Sequence, residues 1–125
     1  MAAGLATLTV LEQSQGWQRL EAIGAQLEGL LAPVLARAPF PITLVRAGSL
    51  FWLALNEGGP PVSAASLSER ESARFAALFH AMLERGVYLP PSAYEACFLS
   101  LAHAPADLEE FAAALAASLS AVASP

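Results

Sequence analysis

The chain of 125 residues contains no lysine. No side chain here can therefore act as an amine nucleophile or tether a carbonyl compound as a Schiff base. All six basic residues are arginines, scattered singly among eleven acidic ones, for a net charge of −5. No basic stripe exists to neutralise phosphates, which argues against nucleic acid as a partner. Cysteine occurs once, at Cys97, so an internal disulfide is excluded and a reducing compartment, the cytoplasm, is expected. The opening MAAGLATLTVL is apolar but carries no Lys or Arg after Met1, unlike the charged front of a signal peptide. The uncharged run FAAALAASLSAVASP falls short of the roughly 20 apolar residues that span a bilayer, so no membrane partner is expected.

What the chain has in abundance is apolar residues, 56% against 14% charged. Its mean hydropathy is +0.52. A single domain of this size buries roughly two-thirds of its unfolded surface, enough for one core without staples. The surplus has two readings: alanine content, or an apolar face meant for another chain or domain.

Residues 1–12 look helical but lack an N-terminal cap, as a helix cut in its middle would, and QSQG breaks them off. From Trp17, Leu20, Ile23, Leu27, Leu30, Leu31 and Val34 recur at three and four, one face of a second helix. Pro33 is expected to kink or shorten its last turn, and RAPFPIT to end it. ITLVRAGSLFWLALNE predicts two strands around a turn at Ala47-Gly48. GGPPVSAAS is loop, and capping boxes Ser66–Glu69 or Ser68–Glu71 open a third helix. Its buried face is predicted as Phe75, Leu78, Phe79, Met82 and Leu83, with Gly86 as the left-handed stop. VYL and ACFLSL are predicted strands around the loop PPSAYE. Pro105 opens a last helix with Asp107, Glu109 and Glu110 at its positive end and Leu108, Phe111, Leu115 and Leu119 on its buried face. The order predicts an α+β fold, helices covering a small, mostly antiparallel sheet.

Residue chemistry taken alone yields no complete active site. His80 and His103 stand far apart, with neither Cys nor carboxylates at ligand spacing, so no metal site is predicted. His80 reads as a boundary residue, and His103 as a partner for freed backbone groups ahead of the last helix. Cys97 lies in an apolar strand without a nearby His, as an inert core thiol does. Ser49 and Ser92 lack the strand–turn–helix elbow of a hydrolase nucleophile. GGPP lacks the helix start and lysine of a phosphate-cradling loop. Arg46 is either solvated at a strand end or holds a substrate carboxylate. Glu95, between Tyr94 and Cys97-Phe98, is either a loop carboxylate bonded to backbone amides or part of a site.

The segment FHAMLERGVYLPPSAYEACFLSLAHAPADLEEF resembles the C-terminal end of the glutamate-1-semialdehyde 2,1-aminomutases, pyridoxal-phosphate enzymes of the class III aminotransferase group. The family pattern is a helix ending in MLERGVYL, then A-P-S-x-F/Y-E-A-G-F, then a serine and A-H-T before an acidic helix. Pro91, Ser92, Tyr94, Glu95, Ala96, Phe98, Ser100, Ala102 and His103 match it. Upstream, RAGSLFWLAL is similar to the family's R-x-G-S-M-F strand pair, and MAAGLATL to the helix that follows its large domain. The likeness covers nearly the whole chain. Departures are Cys97 for glycine, Ala104 for threonine and Ala93 for a common glutamine.

The resemblance implies the small C-terminal domain of a fold-type I enzyme, with residues 1–14 as the tail of a helix from a large domain and 15–125 as the small domain. It implies pyridoxal phosphate held by the large domain, whose lysine forms the Schiff base, with no cofactor bound covalently by this chain. It further implies a homodimer when full-length and a small-molecule substrate whose amino group moves within one molecule, giving 5-aminolevulinate for tetrapyrroles. Glu95 would face the cofactor and bond amino groups during proton transfer, and Ser92 and Arg46 would shape the substrate entrance. Another class III aminotransferase is the neighbouring alternative. A stand-alone, non-catalytic interaction domain is a further one. The fragment reading predicts an apolar docking face, and the stand-alone reading a polar one.

Overall fold

In the computed structural model, residues 1–56, 59, 62–63 and 69–123 are described, the side chains of 69 and 70 excepted. The elements run α1 (Ala2–Gln13), α2 (Gly16–Leu35), β1 (Thr43–Ala47), β2 (Leu50–Ala54), α3 (Glu69–Leu83), β3 (Cys97–Phe98) and α4 (Pro105–Val122). The fold is α+β, as predicted. The three strands form one antiparallel sheet in the order β1-β2-β3.

The hairpin is set by its turn. Ala47 faces Leu50, so Gly48 and Ser49 make the two-residue connection, and the register runs from there to Thr43 opposite Ala54. Alternation then sorts β2 by face. Phe51 and Leu53 are buried toward the helices, where the Phe51 ring meets Phe111 of α4 edge-on at 5.7 Å and 79°. Trp52, between them, turns to the opposite face and is half-buried.

Helix α2 runs through Pro33 to Leu35, packing Leu27 and Leu31 into the core, with Ile23, Leu30 and Val34 beside them. Gly24 sits where the hairpin crosses: a Cβ there would lie 2.3 Å from the Gly48 carbonyl oxygen. Helix α3 buries Phe75, Leu78 and Met82 as predicted, but Leu83 is exposed. At its end Gly86 has φ 80°, and the Val87 and Gly86 amides bond the Met82 and Leu83 carbonyls, each at 3.0 Å. This paired closure is what a left-handed glycine stop provides. The serines of the expected capping boxes, Ser66 and Ser68, lie outside the described residues.

Two strand predictions are corrected. Residues 87–89 form no regular secondary structure and join no ladder among the described residues; the strand paired beside β2 is β3, at Leu50 and Phe51. The strand expected over ACFLSL is only Cys97–Phe98; after Leu99, whose amide bonds Ser49 O at 2.9 Å, the chain turns.

Helix α4 contributes Leu108, Ala112, Leu115, Ser118 and Leu119 to the interior. Its N-cap is Ala104, which has no side-chain acceptor, so half of a capping box remains: the Ala104 amide donates to Asp107 Oδ2 at 2.7 Å. Helix α1 stands apart from this core. It touches α2, buries none of its own residues, and joins α2 through Gln15 in the left-handed region at φ 53°.

Candidate functional site

Between Pro90 and Ala96 the chain forms an exposed turn that carries Ser92 and Glu95 together. Ser92 Oγ accepts the Tyr94 amide at 3.2 Å, and the Ser92 carbonyl accepts the Glu95 amide at 3.2 Å. Both bonds are local and shape the turn without anchoring it. Glu95 and Tyr94 are exposed, whereas Ala93 packs partly against the core. The anchor comes from the sheet: Trp52 Nε1–H donates to the Ala93 carbonyl at 2.8 Å, across 41 residues of chain. A half-buried indole N–H needs such a partner.

Arg46 lies elsewhere. Its register partner is Phe51, which points toward the helices, so Arg46 lies on the face opposite Trp52. There it bonds Glu28 Oε2 through Nε and Glu21 Oε1 through Nη1, both at 2.9 Å, and Gly48 O at 2.8 Å. These two carboxylates, Glu28 first, raise the guanidinium pKa above its ordinary value. Glu21 and Glu28 are two turns apart on α2, so Arg46 staples the hairpin tip to that helix over Gly24. The structure brings Ser92 and Glu95 together and sets Arg46 on the other side of the sheet.

His103 Nδ1 accepts the Ser100 amide at 2.9 Å and lies 3.0 Å from Ser100 Oγ, closing the turn ahead of α4 as expected of a residue serving backbone groups. His80 is exposed on α3, its ring 5.4 Å from that of Phe79. Burial, and then the charge of Glu95, pushes the Cys97 thiol up to about 11. It stays protonated at neutral pH and is no nucleophile there. A cleft of about 540 Å³ opens between residues 86–90, β3 and α4, over Phe51, Leu89, Leu108 and Phe111, with His103 and Asp107 in its wall. Neither Ser92 nor Glu95 lines it. Among the described residues no cluster of three His, Cys, Asp or Glu side chains is placed to hold a metal ion. No helix among them is long and apolar enough to cross a membrane.

Glutamate-1-semialdehyde 2,1-aminomutase of Thermus thermophilus is 43% identical over 120 residues, 95% of this chain and 28% of the relative. Those of Anaeromyxobacter sp. (strain K) and Desulfitobacterium hafniense are each 41% identical, over 91% and 87% of this chain. By sequence, the chain is similar to the C-terminal part of the glutamate-1-semialdehyde 2,1-aminomutases. It spans about a quarter of the length of these aminomutases. No protein-family model matches it. The fold agrees: an omega-transaminase from Sphaerobacter thermophilus matches 85% of the chain with TM-score 0.72 at 29% identity. A transaminase with PLP bound matches 95% with TM-score 0.72 at 28% identity. In each case the match takes in about a quarter of the solved chain.

The aminomutase likeness raises the question of the cofactor, and no side chain of this chain can tether its aldehyde as a Schiff base. There is no lysine to bind an aldehyde, and the guanidinium of Arg46 is engaged by two carboxylates. What the chain offers near the family pattern is one exposed carboxylate, Glu95, on a turn tied to the sheet.

Proposed function

We propose that this chain is the small C-terminal domain of a glutamate-1-semialdehyde 2,1-aminomutase, residues 1–14 leading in from a large domain and 15–125 forming the small one. The intact cytoplasmic homodimer would convert glutamate-1-semialdehyde to 5-aminolevulinate, the precursor of tetrapyrroles. Pyridoxal phosphate, held by the large domain, supplies the electron sink for moving the amino group. The observation that carries this reading is the 43% identity over 95% of the chain to a quarter of a named aminomutase.

A second observation supports it over a stand-alone interaction domain. Leu5, Leu8 and Val10 of α1 are 69%, 56% and 59% exposed, and no charge interrupts the helix before Glu12. Even its threonines turn inward, Thr7 and Thr9 hydroxyls bonding the Ala3 and Leu5 carbonyls at 2.9 Å. A helix this apolar is normally covered, and a large domain of the same polypeptide is the cover this reading supplies.

The chain's own contribution to chemistry is Glu95. A carboxylate at a closing domain edge accepts a hydrogen bond from, or exchanges a proton with, a reacting amino group. Ser92 shapes the same turn at the substrate entrance. Arg46, facing α2, acts as a strut for the hairpin.

The test is an exchange of parts. The C-terminal quarter of the Thermus thermophilus aminomutase is replaced by this chain, and 5-aminolevulinate formation is measured. The hybrid is expected to turn over, and the isolated chain to give neither product nor a new absorbance band with pyridoxal phosphate. Turnover by the isolated chain, or a soluble and folded hybrid with no activity, counts against the reading.

A further inference from the structure

We infer that Trp52 is a positioning residue, holding the turn that presents Glu95 through its indole hydrogen bond to the Ala93 carbonyl. The inference rests on the proposed role of Glu95. The turn from Pro91 to Ala96 has little to hold it: Pro91, Tyr94, Glu95 and Ala96 are exposed. Its bonds at Ser92 close it on itself. Segments with few buried contacts open locally at low cost. The 2.8 Å bond from Trp52 ties the middle of this turn to the central strand of the sheet. Trp52 is itself fixed by strand pairing, opposite Val45 of β1. Only Tyr94 separates Ala93 from Glu95, so freeing the Ala93 carbonyl frees the carboxylate's backbone.

Trp52 acts through the backbone of the turn, by its bond to the Ala93 carbonyl. Its effect passes through the placement of Glu95, and a misplacement of about 1 Å at a catalytic group costs up to roughly 100-fold in rate. Trp52→Phe keeps an aromatic ring on that face of the sheet and removes the N–H donor.

The experiment is a double-mutant cycle on the active, cofactor-loaded full-length enzyme or hybrid, using Trp52→Phe, Glu95→Gln and the pair. Trp52→Phe is expected to lower kcat roughly 10- to 100-fold with KM little changed. In the Glu95→Gln background it should add nothing, because the group being placed is already gone. Hydrogen exchange at the Tyr94 and Glu95 amides should quicken at least about tenfold in Trp52→Phe, with the β1 amides unchanged. If the β1 amides quicken as well, the substitution has loosened the whole sheet and the specific role is overturned. Equal losses in both backgrounds, or unchanged kcat and unchanged exchange in Trp52→Phe, overturn it too. A Glu95→Gln enzyme with undiminished kcat removes the reading of Glu95, and this inference with it. A slow Glu95→Gln enzyme beside a fast Trp52→Phe one removes this inference alone.

Discussion

Helices α1 and α4 are written in nearly the same alphabet, mainly alanine and leucine with a few hydroxyl residues. Yet α4 buries Leu108, Ala112, Leu115, Ser118 and Leu119, and α1 buries nothing. The difference lies in their neighbours. Helix α4 packs against α2 and α3, and its Phe111 meets Phe51 of the sheet. Among the described residues, helix α1 packs mainly against the helix that follows it. Apolar composition supplies a tendency to bury, and burial itself needs a facing surface. The apolar residues of α1 find no such surface in this chain, which is what the proposed docking of a large domain would supply.

The largest effect that would break the comparison is at Leu115, which is fully buried. Leu115→Ala should destabilise the chain by about 2–5 kcal/mol in urea unfolding. A loss under about 1 kcal/mol would mean that α4 is no more anchored than α1. Next comes Ser118, fully buried, its hydroxyl without a hydrogen-bond partner among the described residues. Ser118→Ala removes an orphaned polar group and should stabilise by about 1 kcal/mol. A destabilised variant would reveal a bonded hydroxyl. Comparable in size is the cap of α4. Ala104 has the extended backbone of an N-cap, φ −86° and ψ 162°. Ala104→Ser supplies the missing acceptor for the first turn and should raise the unfolding free energy by about 0.5–1 kcal/mol. Equal stability would show that the Asp107 half of the box already suffices. The smallest effect belongs to α1: Leu8→Ala should change the isolated chain's stability by less than about 0.5 kcal/mol. A melting temperature lowered as far as that of Leu115→Ala would erase the contrast.

How much was legible in advance depended on distance along the chain. The two strands could be read from their β-branched and aromatic residues, but the turn expected at Ala47-Gly48 lies one residue later, at Gly48–Ser49, because Ala47 pairs with Leu50. Helix α3 could be read from Phe75, Leu78, Phe79 and Met82, and its end from Gly86. Leu83 was misassigned because it lies about 100° round the helix from Met82, at the rim of the stripe, where the packing of neighbours decides. Residues 87–89 do alternate, with Leu89 buried and Tyr88 exposed, but a strand needs a partner, and the strand that pairs with β2 on that side is β3. For the candidate site, Ser92 and Glu95 were legible only through a resemblance. Trp52 was missed: it is one tryptophan among apolar strand residues, and its acceptor lies 41 positions away. A half-buried indole at an outward strand position was the available signal.

By itself, the sequence determined periodicity, turns, helix stops and one firm exclusion, since a chain without lysine cannot tether an aldehyde. All of these are local or compositional, governed by backbone sterics within a few residues or by the inventory of functional groups. Only the tertiary structure decided that Arg46 faces α2, that Trp52 holds the Glu95 turn, and that α1 lies bare. Those outcomes depend on which surfaces meet, and contacts between distant segments form only when the folded core brings them together.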